Sequence, residues 1–225
     1  MALISERKKK INSSGSYARV FNNIDLGELI TKIHSTSISN GNELERIILE
    51  KSEYVISNVN EFERILRREE INWNIVIIPK KIVKKSSVSN SKEPDFIVIQ
   101  KTNETLNIIE LKDGWVFDTK KAIGEYEQLL EFQNDISKIV SFKTKIYMCS
   151  FNNNDKNEIF KGFKKKIPLE DIMIGQEFCK LLGLDYYSID LERRNHANKN
   201  LQYFIQELLK IDIVKTEIIK QLNKK

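Results

Sequence analysis

The stretch that most constrains the fold is KEPDFIVIQKTNETLNIIELKDG, residues 92–114. Two runs rich in β-forming side chains, FIVIQ and TLNIIELK, flank a short polar turn. Runs joined so closely pair antiparallel, so the stretch reads as a β-hairpin. Side chains on a strand alternate faces. Ile109 and Leu111 therefore turn toward a core, while Glu110 and Lys112 share the opposite face. A turn centred on Asn103 and Glu104 sets Asp95 directly across from Lys112 and diagonal to Glu110. Cross-strand neighbours lie about 4.5–5.5 Å apart and diagonals about 7–8 Å. At those distances two carboxylates can share a divalent cation.

The rest of the chain supplies a setting. Residues 1–24 are polar and basic and read as an N-terminal segment, leaving 25–225 as a single domain. From Asn42, read as an N-cap behind Gly41, apolar residues recur at helical spacing through Leu44, Ile47, Ile48, Phe62 and Leu66. WNIVIIP, ended by Pro79, reads as a strand, and 80–92 as a basic loop. After the hairpin, DTKKAIGEYEQLLEFQNDIS reads as a helix capped by Asp118, with Ile123, Tyr126, Leu129 and Leu130 on its apolar side. KTKIYMCSF reads as a buried strand, PLEDIMIGQEFCKLLGL as a helix and DYYSIDL as a strand. NLQYFIQELLKIDIVKTEIIKQL reads as one long C-terminal helix, packed in the core or against a second copy. The succession predicts an α/β domain with a central mixed β-sheet flanked by helices.

Chemistry follows from the charges that interrupt the strands. Facing carboxylates repel unless a proton or cation lies between them. Mg²⁺ takes one or two carboxylates and keeps its other positions for water and phosphate oxygens. A neighbouring lysine can position the attacking water and stabilise developing negative charge. The set suits metal-dependent phosphodiester hydrolysis.

Pro94-Asp95 followed by Glu110-Leu111-Lys112 at the end of a second strand resembles the PD-(D/E)XK nuclease superfamily, over a core from about Gly41 to Ser150. The resemblance implies a restriction-endonuclease-like core in which Asp95 and Glu110 hold Mg²⁺, the Leu111 carbonyl joins them, and Lys112 is the catalytic lysine. A further acid on a preceding helix would be Glu45 of GNELERII, a better candidate than Glu43. The implied activity is that of a type II restriction endonuclease cutting double-stranded DNA at a specific sequence. A homodimer matches a palindromic site, and a cognate DNA methyltransferase would be encoded separately. A structure-specific or repair nuclease of the Holliday-junction resolvase kind shares the motif, and a DNA-binding module with a decayed core is the non-enzymatic alternative.

Charge distribution adds candidates for DNA contact. Lysine and arginine number 37 against 32 acids, an excess that permits a nucleic-acid partner. Basic clusters fall at 6–10, 79–85, 161–166 and 192–200, giving Lys84, Lys85, Arg193 and Arg194 as candidates. Lys120 and Lys121 stand in the first turn of the helix after the motif, where they oppose the helix dipole and a bound phosphate would offset the cost. Trp115 is a base-stacking or core residue, and Glu125 and Gln128 lie on the helix behind the motif lysine. His34 and His196 have no evident partner, and His196 falls in a basic loop. Cys149 and Cys179 sit in apolar contexts expected of reduced, buried thiols. No stretch has the make-up of a signal peptide or the length of a membrane span, so the cytoplasm is expected.

Overall fold

The structure, a computed structural model, describes residues 1–7, 15–69, 73–89, 92–114 and 119–224. The backbone divides into two compact units, one of residues 47–186 and one of 1–46 with 187–225.

The first unit is built on a sheet. Among the described residues it has strands β1 (Ile75–Pro79), β2 (Phe96–Gln100), β3 (Thr105–Lys112), β4 (Lys143–Ser150) and β5 (Ile172–Ile174), in the spatial order of the sequence. β1, β2 and β3 run antiparallel, whereas β3, β4 and β5 are parallel. The mixed sheet of the α/β expectation is therefore present. Tyr54 and Ile56 extend the β1 edge through hydrogen bonds to Ile77. Helices in chain order are α1 (Gly15–Phe21), α2 (Ile24–Ile38), α3 (Asn40–Lys51), α4 (Val59–Leu66), α5 (Lys80–Val83), α6 (Thr119–Ile136), α7 (Lys156–Gly162), α8 (Gly175–Leu182), α9 (Tyr186–Leu209) and α10 (Asp212–Leu222).

Strand parity assigns the two faces of the sheet. Ile97, Ile99, Leu106, Ile108, Ile146 and Met148 pack with Ala122, Tyr126, Leu129 and Phe132 of α6. Phe96 faces the other way, against Phe178 of α8 at 5.6 Å between ring centroids. Gly175 opens α8 so close to β4 that a Cβ there would collide with the Phe151 carbonyl and the Tyr186 ring. Cys149 and Cys179 are buried free thiols, as expected.

Several local expectations change. The 80–92 segment begins with α5 and is not all loop. PLEDIMIGQEFCKLLGL is a 3-10 turn, strand β5 and helix α8 in succession, because Pro168 and the β-forming Ile-Met-Ile run precede the first helical residue. DYYSIDL is mostly the opening of α9 and not a strand. The C-terminal helix breaks into α9 and α10 around the buried Ile211. α3 starts at Asn40, ahead of the expected Asn42 cap. On α6, Leu130 points to solvent. Asp118 and Trp115 lie outside the described residues.

The second unit is helical. Asn23 caps α2 by accepting the Leu26 N–H at 2.8 Å. Residues 1–7 are packed as part of this unit: Ala2 and Ile4 are buried, and Asn200 takes the Ile4 N–H at 2.8 Å and gives its amide to the Ala2 carbonyl at 2.8 Å. His196 is helical and contacts the Met1 carbonyl at 2.7 Å, and His34 lies beside the Tyr17 ring.

Candidate active site

The hairpin register differs by two residues from the sequence expectation. Phe96 pairs with Ile109 and Gln100 with Thr105, around a four-residue turn, 101–104. Glu104 there adopts the left-handed φ of 49°. Continued one step, the ladder sets Asp95 opposite Glu110 instead of Lys112. A shift of two preserves every face, so Asp95, Glu110 and Lys112 still project from the α6 side of the sheet.

The Asp95 carboxylate is buried and held at both oxygens. Oδ1 accepts from Lys80 Nζ at 3.0 Å, and Oδ2 accepts the Leu111 backbone N–H at 2.9 Å. The next ladder step would pair Leu111 with Pro94, which has no N–H to give. The Asp95 side chain accepts the Leu111 N–H, and proline leaves the Leu111 carbonyl without a donor from that position.

Lys112 bridges two acids. Its Nζ lies 2.7 Å from Glu110 Oε1 and 2.8 Å from Glu125 Oε2 on α6, and Glu125 is also 3.8 Å from Lys121. Burial pushes the Glu110 carboxyl up, the Asp95 charge pushes it further, and Lys112 only partly offsets them, leaving it at about 7. Burial works against the Lys112 ammonium, but Glu110 and Glu125 outweigh it and hold the amine above its ordinary value. Ser150, the β4 residue in register with Lys112, is buried on the same face, with no hydrogen-bond partner for its hydroxyl among the described residues.

The donor set is all oxygen: two carboxylates and a backbone carbonyl. That chemistry fits a hard cation such as Mg²⁺, and the Cys and His ligands typical of zinc sites are not among these donors. Among the described residues no three His, Cys, Asp or Glu side chains converge for a metal. Two carboxylates are enough for Mg²⁺, which binds through one or two.

A curated relative, the type II restriction enzyme HhaII of Haemophilus parahaemolyticus, is 38% identical over 225 residues, covering 98% of this chain and 99% of that one. The chain belongs to the type II restriction enzymes. It is accordingly a site-specific deoxyribonuclease. No family model matches it. A solved structure of the SUMO protease Ulp1, with its catalytic cysteine oxidized to a sulfenic acid, overlaps with a TM-score of 0.23 at 11% identity, over 72% of this chain and 75% of that one. So slight an overlap carries no argument.

The remaining candidates of this restriction enzyme are scattered. Lys84, Lys85, Lys120 and Lys121 are exposed in the sheet unit. Arg193 is 5% exposed, on the inward face of α9, which removes it from phosphate contact. Arg194 is exposed but ion-paired with Asp190 at 2.6 Å. The stretch 192–200 is helix, not a loop. Glu45 is half-buried on α3 in the helical unit, while Glu43 is engaged by Arg46 at 2.7 Å. Sequence reading missed the role of Lys80, which appeared there only as part of a basic run. Its signal was proximity: Lys80 directly follows a strand that pairs with the one Asp95 opens.

Proposed function

We propose that the end of the β2–β3 hairpin is a PD-(D/E)XK-type centre, hydrolysing double-stranded DNA at a specific sequence with Mg²⁺. The observation that carries the reading is the convergence of Asp95 and Glu110 across the hairpin, with Lys112 on the same face. The Asp95 charge opposes ionisation of the half-buried Glu110 carboxyl, and a cation between the two would relieve that repulsion. The Asp95 and Glu110 carboxylates and the Leu111 carbonyl would hold Mg²⁺, which when bound supplies charge neutralisation at the attacked phosphate and acidifies water.

The protein's own groups do the rest. Lys80 and the Leu111 N–H fix the Asp95 carboxylate. Lys112, kept protonated by its two acids, donates hydrogen bonds to an oxygen that gains negative charge and orients the attacking water. Glu125 retains the ammonium when Glu110 is engaged elsewhere. Lys120 and Lys121 flank the site at the start of α6, where the helix N-terminus favours a phosphate. The products would carry 5′-phosphate and 3′-hydroxyl ends, and a palindromic site would be met by a homodimer.

Long unbranched DNA incubated with the protein, with Mg²⁺ or with EDTA, tests the reading on a gel. Discrete fragments in Mg²⁺ alone are expected, with a common sequence at their ends. Cleavage confined to branched substrates would replace this reading with a resolvase-like one, and cleavage in EDTA would remove the metal.

A further inference from the structure

α9 is poorly covered for its length. Its 24 residues span about 36 Å at the α-helical rise, and among them only Ile189 and Arg193 are buried. The outward face runs through Tyr187, Leu191, Arg194, Asn198, Gln202, Ile205 and Leu209. Its apolar members are widely open, Tyr187 at 68%, Leu191 at 60%, Ile205 at 46% and Leu209 at 44%. Core packing, one of the two expectations for the C-terminal helix, therefore does not account for this face. DNA does not suit it either, because Arg194 is the one cation on the stripe and already pairs with Asp190. Large apolar side chains left open at both ends of the helix suit a protein partner.

The order of the side chains identifies which protein. The stripe reads alike from both ends: Tyr187 mirrors Leu209, Leu191 mirrors Ile205, Arg194 mirrors Gln202, and Asn198 mirrors itself. Leu201, on the flank, mirrors Asn195. A face that matches itself end for end suits a two-fold contact, in which each residue meets its mirror in the other copy. We infer that the exposed face of α9 docks antiparallel on α9 of a second copy of this chain, with the two-fold axis at Asn198. The inference rests on the homodimer of the proposed function and names its surface.

The area is consistent. A strip about 10 Å wide along this helix covers roughly 360 Å² per chain, nearly half of the ~800 Å² per partner in a standard interface. α10, of the same unit, also leaves Ile213, Ile218, Ile219 and Leu222 exposed.

Cross-linking tests the register in the full-length protein. Helices packed about 8–10 Å apart bring facing Cα atoms within disulfide range. Asn198→Cys should form a disulfide dimer on mild oxidation, and Gln206→Cys, away from its own mirror position, should not. Both native cysteines are buried, so neither competes. Sedimentation gives the second readout. Leu191→Glu should weaken the dimer by roughly 100-fold, and Leu191→Glu with Ile205→Lys should restore it, because Glu and Lys then face each other across the axis. Residues 191 and 205 lie about 21 Å apart along one helix, too far to pair within a chain. A parent dimer that neither cross-links through Asn198→Cys nor responds to Leu191→Glu would overturn the α9 surface and leave the homodimer standing. A parent that is monomeric at tens of micromolar would overturn both.

Discussion

Replacing Glu110 by glutamine should make the protein more stable while disabling it. Glu110 titrates at about 7 in the folded chain against 4.5 as a free side chain. The folded state thus holds the proton more tightly than the unfolded state. The stabilisation from that proton is complete below about pH 4.5 and is lost as pH rises through 7. The gap corresponds to about 3 kcal/mol, and attraction to Lys112 is already inside that figure, since it is one of the forces keeping the carboxyl from rising further. Glutamine keeps the shape and never ionises. Allowing for relaxation of the site, Glu110→Gln should gain roughly 1.5–3 kcal/mol at pH 8, raising Tm by roughly 3–12 °C. At pH 5 the gain should shrink below about 1 kcal/mol. Thermal melts of parent and variant at both pH values, without divalent cation, measure the difference. Addition of Mg²⁺ at pH 8 should stabilise the parent and leave the variant nearly unmoved. A variant no more stable at pH 8, or one whose gain is the same at pH 5, would refute the account of a strained carboxylate pair.

Lys112→Ala should abolish cleavage and leave DNA binding largely intact in a gel shift; joint loss of both would contradict its role. Glu125→Gln should lower the single-turnover rate about 10–100-fold without changing DNA affinity, and should add nothing in a Lys112→Ala background if Glu125 works through the ammonium it pairs with. Lys120→Ala with Lys121→Ala should weaken binding and flatten its salt dependence by a slope of about 2; an unchanged slope would take both lysines out of the interface. Burial raises the Cys149 thiol well above its usual range and pushes Cys179 up to about 12. Neither should react with a thiol reagent at pH 8 until the chain is unfolded, and rapid labelling of the native protein would contradict the packing.

The faces of the hairpin were legible because a strand repeats every two residues, and an error of two in register leaves each side chain on its own side. The register itself was not legible. A turn of four residues without glycine, closed by Glu104 N–H to the Lys101 carbonyl at 3.2 Å, looks in sequence much like a tighter one. The cost of that ambiguity was the partner of Lys112: not Asp95 across the hairpin, but Glu110 on its own strand and Glu125 on α6. Lys80 was hidden for a similar reason, since its contact with Asp95 depends on β1 pairing with β2. The misread segments, 169–174 and 185–191, share a cause. Their short apolar runs suit helix or strand, and position beside β4 or continuity with a long helix decided between them.

The bond from the Leu111 amide to the Asp95 carboxylate has a spectroscopic consequence. Amides bonded to a neighbouring strand report, through deuterium exchange, only how often the sheet opens. The Leu111 proton answers to an ionisable side chain. Its resonance should move when calcium or magnesium draws on that carboxylate, with no label attached and no cleavage required. One backbone amide would thus serve as a built-in sensor of a cation at the proposed centre.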